Sequence, residues 1–298
     1  MGATLDVVSM ETIDLFNRFF KIGGTHHPHI SVMDITRQRE YMRIPLRIGF
    51  YAVVLVTYRP EYFVCGRTSC DYSDATLLFF APGDVFHIDR PEIVSNVLLL
   101  VFHKDLIEGS FLGLHIGDYS FLGYYKQEAL HLSCREKNLI LQRLEDIQNE
   151  LNRPIDRHSR VLLCKNIELL LDHCVRFVER QFILREDEIR HILQRSDKIL
   201  DEYFEEKRTP RLRFPTAAYC AEQLGYSQAY LLDALKFCTG KTWYEYTQAK
   251  RISIAKRWLQ DEHRTIPQIT KNLGFSSEKY FCRLFKEVVG YGPDEVLN

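Results

Sequence analysis

Leu273-Gly274-Phe275-Ser276-Ser277-Glu278-Lys279-Tyr280-Phe281-Cys282-Arg283-Leu284-Phe285-Lys286 is the stretch on which the reading of this chain turns. An apolar helical segment ends near Leu273, Gly274 supplies the backbone freedom of a tight helix exit, and Ser276 offers a hydroxyl to cap the next helix. Two helices meeting at a sharp turn, over residues 266–292, have the form of a helix-turn-helix. At the angular step of a helix, Phe281, Leu284 and Phe285 fall on one side of the second helix, and Lys279, Cys282, Arg283 and Lys286 on the other. One face packs and the other carries three cations. Periodicity alone equally describes an ordinary amphipathic helix with a solvated basic face.

The stretch recurs upstream. Leu224-Gly225-Tyr226-Ser227, then Tyr230 to Lys236, then Thr239-Gly240 precede Leu273-Gly274-Phe275-Ser276, Tyr280 to Lys286 and Val289-Gly290 by 49 to 50 residues, with one extra residue after the second turn. A chance amphipathic helix does not repeat its turn, cap and closing glycine, so two helix-turn-helix units are expected. Residues 242–260 between them read as a helix containing Trp243, Tyr246, Ile252, Ala255 and Trp258, roughly 28 Å long at 1.5 Å per residue. That length approaches the ~34 Å between successive major-groove faces of B-DNA. The two units are unequal. The first presents Ala229, Leu232, Asp233 and Lys236 where the second presents Lys279, Cys282, Arg283 and Lys286, which sets Asp233 against Arg283. Phosphates repel a carboxylate, although it can accept from a cytosine amino group.

Residues 187–293 resemble the AraC/XylS family of transcription regulators. The resemblance rests on Arg251-Ile252 with Ala255-Lys256 and Leu259, Ile266 with Ile269, Leu273-Gly274-Phe275, Tyr280-Phe281 with Arg283, Phe285-Lys286, and Gly290 with Pro293. The family's aromatic and Arg after the proline are replaced here by Val296 and Leu297. The N-terminal half is similar in outline to the family's cupin-like sensor domains, with Phe50-Tyr51 opening a strand and residues 77–83 ending in a Pro-Gly turn. The resemblance implies sequence-specific DNA-binding regulation of transcription, most often activation, on double-stranded promoter DNA. RNA polymerase is then a partner of an activator, and a small-molecule effector and a homodimer are implied. Lys279 and Arg283 are expected at base edges or phosphates, with Lys286 nearer the backbone and Ser276, Ser277 and Glu278 at the helix start. Gln228 and Ala229 open the first recognition helix, where Gln suits adenine, and Asp233 and Lys236 share its face. Arg251 and Lys256 are phosphate candidates.

Length and composition fit this organisation. The chain has 298 residues and a formal net charge of -1, so any affinity for nucleic acid comes from a local patch. Residues 1–135 are expected to form a cupin-like β-barrel or jelly roll acting as sensor, because β-rich runs at 48–58, 77–80 and 93–103 alternate with turns such as Ala81-Pro82-Gly83-Asp84. Residues 136–186 shift to helical periodicity and read as a connector or dimerisation segment, with more apolar positions on the helix 157–181 than one face needs. Residues 187–298 form the all-α DNA-binding domain. Arg47, Tyr51, Tyr58 and His87, on or near strands, are the candidate effector contacts. His26, His27 and His29 crowd a Gly-Pro segment, but no histidine pair is followed by a correctly spaced carboxylate, and Cys65 and Cys70 lack two further ligands. No metal, cofactor or catalytic residue is therefore expected. The eight scattered cysteines read as reduced thiols, and no signal peptide or membrane span is visible, which places the chain in the cytoplasm. Two other classes are compatible with parts of the sequence: a diverged regulator acting through protein contacts without DNA, and a cupin enzyme with an accessory DNA-binding domain, which needs a ligand cluster the sequence does not show.

Overall fold

The computed structural model describes residues 7–23, 27–58, 75–88, 90–205, 215–260 and 264–296. It divides into two compact units, Met1–Leu184 and Arg185–Asn298. The first contains β1 (Val8–Met10), α1 (Ile13–Phe19), β2 (Ile30–Asp34), α2 (Arg39–Met42), β3 (Leu46–Ile48), β4 (Tyr51–Tyr58), β5 (Ala75–Phe80), β6 (Val85–Phe86), β7 (Val94–Phe102), α3 (Lys104–Ile107), α4 (Phe111–His115), β8 (Leu130–Leu132), α5 (Cys134–Leu151) and α6 (Ser159–Leu184). The second contains α7 (Glu186–Glu205), α8 (Ala217–Leu224), α9 (Gln228–Thr239), α10 (Trp243–Gln260), α11 (Ile266–Asn272) and α12 (Glu278–Val289).

Among the described residues the strands form two sheets, in the orders β1-β3-β6 and β2-β7-β4-β5-β8. The chain changes sheet at Gly49. There the backbone runs so close to Glu11 that an added Cβ would lie 3.2 Å from the Glu11 Cα, and the Gly49 N–H donates to the Met10 carbonyl at 2.9 Å. A side chain would not fit this corner, which is why the expected strand 48–58 splits into β3 and β4. Alternate residues of β4 and β7 (Ala52, Val54 and Val56; Val97, Leu99 and Val101) join Met10, Leu46, Ile48 and Phe86 of the small sheet in one core. Phe16 of α1 seals it, with ring centroids 5.3 Å from Phe50 and 5.8 Å from Phe86. The opposite faces of β4 and β7 are buried as well, at Val53, Leu55 and Leu100, and α5 and α6 pack against the large sheet at β2 and β8. The β-rich expectation thus resolves into a two-sheet sandwich followed by helices.

The way α6 closes this unit follows from edge-strand chemistry. β8 pairs with β5 on one side only, which leaves backbone groups of an edge strand to be satisfied. Gln181 of α6 meets them: its Oε1 accepts from the His131 N–H at 2.9 Å and its amide donates to the Ala129 carbonyl at 3.2 Å. Arg180 donates to the His131 carbonyl at 2.7 Å and forks onto Glu136, whose other work is the capping box with Ser133 at the start of α5. Of the apolar positions on α6, Leu163, Ile167, Leu170, Leu171, Cys174 and Val178 are buried, while Val161 and Leu162 are exposed. Replacing Gln181 by Ala removes its hydrogen bonds to two buried backbone groups and is expected to cost about 2–4 kcal/mol. Urea unfolding of the full chain, followed on the N-terminal unit, will show this as a lower midpoint.

Candidate nucleic-acid interface

The two turns of the second unit are built from the same parts. α8 ends at Gly225 (φ +74°), Ser227 accepts from the Tyr230 N–H at 3.1 Å, and α9 ends at Gly240 (φ +66°). In the second copy Gly274 has φ +67°, Ser277 accepts from the Tyr280 N–H at 3.1 Å, and α12 ends at Gly290 (φ +94°). Only glycine adopts these left-handed values without strain. The cap is therefore Ser277 and not Ser276, because the extra residue in the second turn moves the helix start by one place. Recognition helices α9 and α12 have 12 residues each, and α10 between them has 18, about 27 Å at 1.5 Å per residue.

The second recognition helix sits on a continuous core. Phe281 and Phe285 are fully buried beside Trp258, Ile269, Leu273 and Phe275. The outward face holds Lys279, Arg283 and Lys286, all exposed, with Glu278 at the helix start, while Cys282 is half-buried against the core. The Arg283 guanidinium lies 5.5 Å from the Tyr280 ring, and the Tyr280 hydroxyl is 3.2 Å from that of Tyr244 on α10. On α9, Gln228 and Lys236 are exposed, and Ala229, Leu232 and Asp233 are half-buried. α10 is fixed to α7 by Lys250, 2.8 Å from Asp201 and 3.5 Å from Asp197, and by the Tyr246 hydroxyl, which donates to Asp197 at 2.8 Å. Both units thus hang on one helical frame.

A helix-turn-helix domain family model matches residues 220–298. These residues are a helix-turn-helix domain. Among solved structures, the chain is similar to the C-terminal domain of AraT, a response regulator from Geobacillus stearothermophilus, at 24% identity over 36% of this chain and 83% of that one, with a TM-score of 0.29. It is similar to the C-terminal domain of the two-component response regulator yesN from Fusobacterium nucleatum, at 24% identity over 34% and 96% of the two chains and a TM-score of 0.27. ToxT from Vibrio cholerae, in a structure with a bound unsaturated fatty acid, aligns over 90% of this chain and 93% of that one at 14% identity and a TM-score of 0.30. No curated protein sequence matches the chain.

Within this domain one expected DNA contact is overturned. Arg251 is only 1% exposed: its guanidinium stacks 3.7 Å from the centre of the Phe275 ring and donates to the Leu273 carbonyl at 2.6 Å and to Gln248 at 3.1 Å. Burial pushes its pKa down to about 10, so it remains a cation at neutral pH, but one turned inward. Residue type alone marks Arg251 as a phosphate candidate, but it falls on the buried stripe of α10 with Gln248, Ile252 and Ala255. Lys256 is half-buried, its ammonium 5.6 Å from the Tyr291 ring beside the closing turn Pro293–Val296.

The N-terminal unit holds a cavity of about 320 Å³ between β4, β5, β8 and the segment after β6. Tyr58 and His87 line it, as expected of effector contacts, together with Thr76, Arg90, Lys126 and His131, which the sequence reading missed. Lys126 donates to the His87 carbonyl at 2.9 Å and its ammonium is 3.0 Å from His87 Nε2. The Thr76 hydroxyl lies 3.2 Å from His131 Nδ1 across the β5–β8 pair. Arg47 and Tyr51 are elsewhere. Arg47 is exposed and donates to the Gly83 carbonyl, and Tyr51 stacks on Phe102 with centroids 5.1 Å apart. Strand alternation explains this, since only one face of β4 and β5 borders the cavity. Cys65, Cys70 and His26 lie outside the described residues; Cys164, Cys174 and Cys220 are free and buried, with the Cys220 thiol pushed up to about 12 by burial.

Arg251→Ala removes a stacked cation and leaves the Leu273 carbonyl buried without this donor. The expected result is a loss of about 3 kcal/mol in the stability of the C-terminal unit, measured by denaturant unfolding of the full chain. A phosphate contact on the surface would instead leave the unfolding curve unchanged.

Proposed function

We propose that this chain is a sequence-specific transcription regulator that holds duplex DNA with α9 and α12 and senses a small anionic molecule in its N-terminal unit. The observation that carries the reading is the row Lys279, Arg283 and Lys286, exposed on a helix whose opposite face is core, in a unit that repeats the same turn and helix once more. Exposed cations at i, i+4 and i+7 give one electropositive stripe that fits a phosphate-lined groove. Arg283, near the middle of the helix, reaches a base edge. Lys279 and Lys286 take flanking phosphates, and Ser276 and Glu278 lie beside the helix start. On α9 the reach falls to Gln228 and Lys236, with Ala229 and Asp233 against the same groove wall, so this helix adds orientation and selectivity more than charge.

The cavity supports an anionic effector with an apolar part. Arg90, Lys126 and His87 supply the positive and hydrogen-bonding end, and Leu78, Ile88 and Ile93 the apolar wall. The route outward is physical: cavity-lining Ala129 and His131 are the residues that Gln181 and Arg180 hold, three and four residues before α6 ends at Leu184. The DNA-binding unit starts at Arg185. A ligand that shifts β8 therefore shifts the helix that leads into that unit. The exposed Val161, Leu162 and Leu169 on α6 fit a homodimer contact. Activation through RNA polymerase and action in the cytoplasm complete the reading; no helix among the described residues is long and apolar enough to cross a membrane.

The test uses DNA fragments that the full chain selects from a random-sequence pool. Arg283→Ala is expected to weaken the selected site by about 1–3 kcal/mol and to relax its sequence, while Lys286→Ala lowers all affinities and flattens the salt slope by about one. Selection of no fragment would instead favour a regulator that works through protein contacts. For the cavity, Lys126→Ala is expected to abolish the thermal stabilisation that medium-chain carboxylates give and to leave that of neutral analogues unchanged.

A further inference from the structure

His29 and His103 come together where β2 and β7 run out. The His103 N–H donates to the His29 carbonyl at 2.8 Å, one rung beyond the Ile30–Phe102 pair, and the two rings stack with centroids 5.9 Å apart. Asp105, in the first turn of α3, brings its Oδ2 to 3.2 Å from His103 Nδ1. One nitrogen or oxygen from each of His29, His103 and Asp105 lies within 4.8 Å of the others. His27, two residues before His29, puts its ring centroid 5.9 Å from that of His29. The three imidazoles are half-buried and the carboxylate is exposed, so the group is reachable from water. None of these residues lines the cavity described above.

We propose that His29, His103 and Asp105 bind a divalent transition-metal ion of the zinc class, with water as the fourth ligand. Imidazole nitrogens with one carboxylate oxygen suit zinc and its neighbours, whereas calcium and magnesium take oxygen ligands. Tetrahedral bonds of about 2.0–2.1 Å set ligand atoms about 3.3 Å apart. His103 Nδ1 already stands 3.2 Å from Asp105 Oδ2; it also accepts from the Asp105 N–H at 3.3 Å as the cap of α3, so binding exchanges that cap bond for a bond to the ion. The backbone under the site is fixed before any ion arrives. The two histidines are locked in register by the strand pair, and Arg160 of α6 donates to the Asp105 and Leu106 carbonyls at 3.2 and 2.8 Å. Sequence spacing does not reveal this group, because the pairing of β2 with β7, not proximity in the chain, brings His103 and Asp105 to His29.

The experiment strips the full chain with a chelator and titrates it with cobalt(II) chloride, followed by competition with zinc chloride. One equivalent of cobalt is expected to bind with visible d–d absorption and no near-ultraviolet thiolate charge-transfer band, which separates these ligands from the cysteines. His29→Ala and His103→Ala are each expected to weaken binding at least tenfold, and His115→Ala, a half-buried imidazole on α4 stacked on Phe111, to leave it unchanged. Asp105→Asn keeps the side-chain shape and is expected to weaken binding as well, which guards against a result caused by misfolding. Absence of saturable binding, a thiolate band, or unchanged affinity in the His29→Ala/His103→Ala double variant would each overturn the site.

Discussion

A guanidinium out of water orders the C-terminal unit. Arg251 lies in the middle of α10, yet its nitrogens reach the Leu273 carbonyl, one of the backbone groups that α11 cannot satisfy within itself. Burying a charge is costly unless it is hydrogen-bonded and packed, and the Phe275 ring with Gln248 completes its surroundings. The linker helix is thereby joined to the turn of the second helix-turn-helix unit at one place and one angle. Phe281 and Phe285 then leave α12 a single way to sit, with Lys279, Arg283 and Lys286 outward. A lysine at position 251 would carry the charge but could not stack its head on the ring and fork to two acceptors.

The N-terminal unit depends on a comparable junction of polar groups. The edge strand β8 is finished by the amide of Gln181 and the guanidinium of Arg180, so one short piece of α6 holds the cavity wall and the start of α5 at once. Apolar burial alone would let α6 slide along the sheet, because Leu170, Leu171 and Cys174 offer no direction. Hydrogen bonds to named backbone groups remove that freedom.

Much of this was legible in the sequence wherever local chemistry decides local structure. The repeated glycine and serine located both turns, and the spacing of Phe281 and Phe285 located the inner face of α12. The length of α10 followed from its uninterrupted helical run. Three things were not legible. The cap moved from Ser276 to Ser277 because a one-residue difference in turn length has no signature in composition. Arg251 was read as a surface cation because residue type says nothing of a carbonyl 22 positions away that needs a donor. Arg90, Lys126 and His131 escaped notice because the cavity is assembled from β5, β8 and the turns between strands, and only pairing register reveals which side chains share a face. Tyr58 and His87 border the cavity, while Arg47 and Tyr51, equally polar and equally near strands, point elsewhere.

The central claim is that one chain lays two recognition helices, held by α10, into successive major grooves on one side of DNA. Hydroxyl-radical footprinting of the full chain on a selected fragment tests it most directly. The account predicts, for each bound chain, two protected patches about 10 base pairs apart on the same face of the duplex, the patch under α12 being the more salt-sensitive. A single patch per chain, or two patches on opposite faces, would contradict it.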